Sequence, residues 1–167
     1  MRFVPRDVPG DGNCFFHCAA LSPLIPNSDV SSIRQALYCF AMGPGRQPGE
    51  IVYGLVYNPN RRHSASFNEA VLSMTRMGQY AETFEMVLLS LLYDINVVSY
   101  SNLSPGIEIF SAAEFLSKHA PDYALSSKQS LYIYHHQYMR PLVPVSPDNI
   151  FLLNHFALLF PVSSAQI

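Results

Sequence analysis

Residues Gly10-Asp11-Gly12-Asn13-Cys14-Phe15-Phe16-His17-Cys18 place a cysteine where a glycine-rich turn gives way to an apolar run with the composition of a helix start. A helix N-terminus carries unpaired N–H groups and partial positive charge, which favour a thiolate over a thiol. The same N–H groups can hold the oxyanion that forms when a thiolate attacks a carbonyl. Cysteine acyl chemistry therefore needs three things: a sulfur, an imidazole to move its proton, and oxyanion donors. Cys14 is the candidate nucleophile. The N–H of Cys14 and those of the Asp11–Asn13 turn are the candidate donors, with Gly12 letting the backbone turn tightly.

The imidazole must come from a rigid, distant element so that it meets the sulfur without strain. Of the six histidines, His155 fits best, in an apolar strand-like run over Asn149–Phe160. His17 follows on the same helix as Cys14 and is expected to point along it. His135 and His136, at a strand end beside Gln137, are the second choice; His63 and His119 read as surface residues. A cysteine in an apolar helix also serves as a small buried hydrophobe, and a strand histidine as a core residue, so the residues alone leave both readings open. Other chemistries fit worse. Phe15 stands where a dinucleotide loop needs its third glycine. Cys14, His17 and Cys18 lack a second ligand pair at zinc-finger spacing, so no metal site is expected.

Several elements must position these groups. Val30, Ile33, Leu37, Phe40 and Ala41 recur at helical spacing, and Gly43-Pro44 ends that helix. Gly43–Gly49 reads as a loop, Tyr53–Ser66 as turn-like, and Phe67, Ala70, Val71 and Met74 as a short helix. Tyr80, Phe84, Val87, Leu88, Leu91 and Ile95 form a wide apolar stripe. Strands are expected at Asp94–Tyr100, Gly106–Phe110, Ser130–His135 and Asn149–Phe160, the last with both faces buried. Helices first and strands later is the α+β pattern.

The chain of 167 residues is 49% hydrophobic and 13% charged, with a net charge of −2. This composition favours one globular domain over residues 1–167 and excludes disorder. It supplies no basic field for nucleic acid; Arg61-Arg62-His63 reads as a solvated loop. Three cysteines without a spaced framework suit a reducing compartment, which suggests the cytoplasm. No secretory leader or membrane span is legible. Oligomeric state cannot be read from the chain.

Asp11-Gly12-Asn13-Cys14-Phe15-Phe16-His17 resembles the nucleophile motif of the ovarian-tumour (OTU) family of cysteine deubiquitinases. Ile33-Arg34-Gln35-Ala36-Leu37 is similar to that family's second helix. Met77-Gly78-Gln79-Tyr80-Ala81-Glu82, the following apolar helix and Asp94–Val98 resemble its glycine-tryptophan segment, helix and strand. Asn154-His155-Phe156 resembles its histidine-aromatic motif. Together these cover roughly residues 7 to 160. The resemblance implies a papain-like fold, no cofactor, and cleavage after the C-terminal glycine of ubiquitin or of a related modifier such as its interferon-induced relative. It further implies Cys14 as nucleophile, His155 as base, Asp11 as the residue that shapes the oxyanion loop or orients the histidine, and a substrate groove at Met77, Gly78, Gln79, Tyr80 and Asn154. Glu82, Glu85 and Asp94 are candidates to meet arginines of the substrate tail.

Two positions depart from the family pattern. Ala157 stands where many members carry Asp or Asn on the same strand face as the histidine, and the chain has no tryptophan. Either Asp11 or a backbone or water contact is then expected to orient His155. These departures point to a divergent member, of viral or bacterial type. Two other readings accompany the deubiquitinase: a ubiquitin-binding module without turnover, and a viral polyprotein peptidase.

Overall fold

The computed structural model describes residues 2–26, 28–56, 66–102, 106–111, 129–137 and 154–162. Five strands, β1 (Arg2–Arg6), β2 (Asn96–Ser101), β3 (Ile107–Ser111), β4 (Ser130–Gln137) and β5 (Asn154–Val162), form one mixed sheet in the order β1-β5-β4-β2-β3. Only the β2–β4 pair is parallel. The helices are α1 (Cys14–Leu21), α2 (Val30–Ala41), α3 (Gln47–Val56), α4 (Phe67–Met74) and α5 (Thr83–Tyr93). This is an α+β fold, with helices early in the chain and most strands late.

Local chemistry sets the helix ends. Asp29 accepts the Ser32 N–H at 2.7 Å while Ser32 Oγ accepts the Asp29 N–H at 2.9 Å, a reciprocal cap that opens α2 and is worth about 1 kcal/mol. Ser66 caps α4 through the Glu69 N–H at 3.2 Å. Helix α5 ends at Asp94, which takes the left-handed conformation at φ 49°, and β2 follows at once. Every residue of α5 from Phe84 to Leu91 is buried, because α2, α3, β2 and β3 all pack on it.

Three expectations are corrected. The Gly43–Gly49 segment is not a plain loop: after a 3-10 turn at Pro44–Arg46, α3 begins inside it at Gln47. Proline is tolerated in a first helical turn, where its missing N–H has no partner to lose, and Pro48 stands there. Gly49 lets α3 approach α2, since a Cβ at that position would meet the Ala41 carbonyl oxygen at 2.3 Å. Strand β5 has one core face, not two. Phe156 and Leu158 are buried beneath α1, whereas His155, Ala157 and Leu159 are only half-buried. Finally, α5 is shorter than its apolar stripe. Tyr80 precedes it and is exposed, and Ile95 follows it. Residues 149–153 of the expected last strand, and His63, His119 and Arg61-Arg62, lie outside the described residues.

Candidate active site

A run of stacked rings brings the two ends of the chain together. Phe15 packs edge-on against Phe16 at 5.4 Å and against Phe156 of β5 at 5.8 Å. Phe156 in turn stacks on His135 of β4 at 4.1 Å. Each phenylalanine in this ladder is at most 1% exposed. Cys14 precedes Phe15 and His155 precedes Phe156, so the ring contact sets the helix start against the histidine strand. Helix α1 packs directly on β5. The neighbours of residues 14 and 155 thus dock on each other through hydrocarbon contact, in which aromatic pairs are worth about 1 kcal/mol beyond their buried area.

The Cys14 thiol is 1% exposed. Burial pushes its pKa up and the Asp11 charge adds to that; the N–H groups of Phe156, Phe15 and Cys14 itself oppose the rise without cancelling it. This corrects the expectation that the helix terminus alone would leave a ready thiolate: desolvation of the charged sulfur outweighs the donors. For Cys14 to act as a nucleophile, a base must take the proton. Cys18 is likewise buried, and its thiol is raised further.

His155 lies at the second residue of β5, opposite His136 of β4. Its Nε2 contacts Asp7 Oδ1 at 2.5 Å. Its Nδ1 is buried and, among the described residues, has no hydrogen-bond partner. The bond to His155 holds the Asp7 carboxyl below the ordinary aspartate value, against a smaller upward pull from burial. Asp7 was not singled out in the sequence. It follows β1, whose pairing with β5 puts Arg6 opposite Leu158 and so carries the next residue to the imidazole. The contact expected for Asp11 is therefore made by Asp7.

Asp11 is engaged elsewhere. Its Oδ1 accepts the Asn13 N–H at 2.9 Å and its Oδ2 lies 3.2 Å from His17 Nε2. Desolvation raises the Asp11 carboxyl, but the Asn13 N–H and His17 pull it below the ordinary value overall. His17 thus turns back over the nucleophile turn. The Asn13 N–H, one of the expected oxyanion donors, is occupied by Asp11. Gly12 adopts φ +80° and lies so close to Gly78 that a Cβ there would meet the Gly78 carbonyl oxygen at 2.0 Å.

Behind the turn is Arg34 of α2, which is 2% exposed. Its Nε and Nη2 donate to Asn13 Oδ1 at 3.0 and 2.7 Å, and the Gly78 N–H donates to the same oxygen at 2.9 Å. Nη1 donates to the Met74 carbonyl and Nη2 also to the Gln79 carbonyl. The guanidinium lies 3.9 Å over the Phe16 ring. The turn at Met77–Tyr80 is therefore fastened to the nucleophile turn, leaving Met77, Gln79 and Tyr80 exposed beside it. Burial raises the Tyr80 hydroxyl, and the charges of Cys14 and Asp11 add to the rise. Asn154 opens β5 opposite Gln137. Glu85 is buried in the first turn of α5 and cannot meet an external arginine; Glu82 and Asp94 are exposed. Arg34 gave no signal beyond the helix it belongs to, since nothing in its own segment marks a buried charge.

The fold matches solved OTU-domain structures. The viral OTU domain protease from Dera Ghazi Khan virus aligns at TM-score 0.56 and 19% identity, covering 94% of this chain and 80% of its own. The Hazara virus OTU bound to ubiquitin aligns at 0.52 and 20%, covering 97% and 83%. An OTU deubiquitinase from Wolbachia pipientis wMel bound to ubiquitin aligns at 0.53 and 16%, covering 95% of each chain. No protein-family model matches the chain, and no curated protein matches it. The chain therefore has the OTU-domain fold. Among the described residues, no helix is long and apolar enough to cross a membrane.

Proposed function

We propose that this domain is a thiol peptidase that cleaves the bond after the C-terminal glycine of ubiquitin or a ubiquitin-like modifier. The observation that carries the reading is the packing of Phe15 on Phe156, which sets the residue after Cys14 against the residue after His155, a histidine whose Nε2 is held by Asp7 and whose Nδ1 is, among the described residues, buried without a partner. In this reading, His155 Nδ1 takes the proton from Cys14 as the sulfur attacks the glycine carbonyl carbon. The carbonyl electrons move to oxygen, and the N–H at the start of α1 stabilises that oxyanion, the Asn13 N–H being held by Asp11. The C–N bond breaks, the leaving amine takes the proton from His155, and water then hydrolyses the thioester. Asp7 keeps the Nε2 proton in place, which leaves Nδ1 as the acceptor.

Asp7 supplies the carboxylate that position 157 lacks, which favours turnover over the binding-module reading. Ubiquitin as partner is supported by the Hazara virus and Wolbachia proteins of the same fold, both bound to ubiquitin. The test is labelling with ubiquitin, and separately with its interferon-induced relative, each carrying an alkyne electrophile at the C-terminus. Wild-type protein is expected to gain one modifier mass at Cys14, and Cys14→Ala none. A folded wild type that labels with neither and hydrolyses neither modifier's C-terminal amide refutes the reading.

A further inference from the structure

Asn13 immediately precedes α1, the position from which an asparagine oxygen ordinarily accepts the second or third N–H of a helix. Here that cap is not made: the Asn13 side chain forms no capping hydrogen bond. Its oxygen is drawn the other way, onto Arg34 Nε, Arg34 Nη2 and the Gly78 N–H. The first-turn N–H groups of α1 are thus left without a cap from Asn13. A buried guanidinium is costly unless its donors are filled, and Arg34 spends two of them on this one oxygen.

We propose that Arg34 is a positioning residue that withholds the Asn13 oxygen from the helix and so keeps the α1 N-terminus open for the oxyanion. It touches no reacting atom. Without it, the Asn13 oxygen is free to swing back and take the N–H of Phe15 or Phe16, closing the end of the helix that faces the sulfur. The inference rests on the thiol-peptidase reading for its role but not on ubiquitin as substrate.

Two reactions of Cys14 separate this role from a merely structural one. Acylation by 4-nitrophenyl acetate forms a thioester, releases 4-nitrophenolate and passes through an oxyanion. Alkylation by iodoacetamide forms a thioether, releases iodide and forms no oxyanion. Both are followed by mass spectrometry in a Cys39→Ser background, because Cys39 is exposed and Cys18 is buried. Arg34→Met is expected to slow acylation by about 100-fold, the scale of a lost oxyanion donor, while alkylation is little changed. Arg34→Lys, a charge without the planar fork, gives the same selective loss by a smaller factor and serves if the methionine variant does not fold. Adding Asn13→Ala to either variant restores most of the lost acylation, since alanine has no oxygen with which to cap.

Equal loss of both reactions, no loss of acylation, or a double variant no better than the single overturns the proposal. Hydrolysis of a ubiquitin C-terminal coumarin amide by wild type runs in parallel. Its absence, with the selective loss still present, removes ubiquitin as substrate and leaves Arg34 assigned.

Discussion

Two aspartate–histidine pairs flank Cys14, and they are built differently. Asp11 and His17 are six residues apart and meet at 3.2 Å because a turn runs straight into a helix. Asp7 and His155 are 148 residues apart and meet at 2.5 Å because β1 pairs with β5. The short-range pair is tied to the turn, with the second Asp11 oxygen on the Asn13 N–H. The long-range pair leaves one imidazole nitrogen of β5 buried and, among the described residues, without a partner. In the proposed reading, the second pair takes the proton from Cys14. The first shapes the loop.

This contrast is sharpest in the histidines. His155→Ala is expected to lower kcat by about 10²–10⁴-fold, the range for loss of general acid–base catalysis. His17→Ala, which only loosens a turn, is expected to cost less than about 10-fold by the same measure. Steady-state kinetics on a ubiquitin C-terminal amide compares them directly. A larger loss for His17 would reverse the assignment of the two pairs.

The aspartates follow with smaller effects. Asp7→Asn is expected to reduce kcat by about 10–100-fold, by analogy with the carboxylates that orient a metal-bound imidazole, with KM little changed. Asp11→Asn should act mainly through the turn and keep more activity. The Asp7 carboxyl is lowered by its bond to His155. Its contribution to stability is thus present above the ordinary aspartate value and lost as pH falls through the lowered one. Urea titrations of wild type and Asp7→Asn below pH 4 should converge.

The smallest effect concerns stability alone. Burial pushes the Glu85 carboxyl up to about 7, and a raised acid favours its protonated form. Its contribution is whole below the ordinary value of 4.5 and is lost as pH climbs through about 7. Glu85→Gln, which can still accept the Glu82 N–H, should flatten stability between those values and raise it above pH 7, by up to about 3 kcal/mol at 1.36 kcal/mol per unit. Chemical denaturation at pH 5 and pH 8 reads this out.

How far each pair could be read in the sequence follows from the same difference. The helices α2 and α4 are written in local spacing, as Val30, Ile33, Leu37 and Ala41 show. The nucleophile turn is legible too, because Gly12 and Asn13 lie next to the residue they serve. Asp7 was not legible. Arg2-Phe3-Val4-Pro5-Arg6 has little strand pattern, four of the five residues are exposed, and the strand exists only by pairing with residues more than 150 positions away. The empty place at Ala157 could be read as a gap, but not what fills it. Arg34 hid for a related reason: it looked like an ordinary polar residue of α2, and only the packing of α1 and the 74–79 turn around it makes it a buried clamp. In α3, Pro48 followed by Glu50 and the apolar Ile51, Val52, Leu55 and Val56 did carry a helix-start signal, which the surrounding glycines outweighed.

The ladder of rings from Phe16 to His135 has a consequence for solvent conditions. The packing of α1 on β5 runs through the Phe15–Phe156 contact, which ions in the medium do not weaken. The Asp7–His155 pair, with Asp7 largely exposed, is open to screening over about 8 Å at physiological ionic strength. Added sodium chloride should therefore loosen the hold of Asp7 on His155 while leaving the packing of α1 on β5 unchanged, so that brine and detergent attack different halves of the same site.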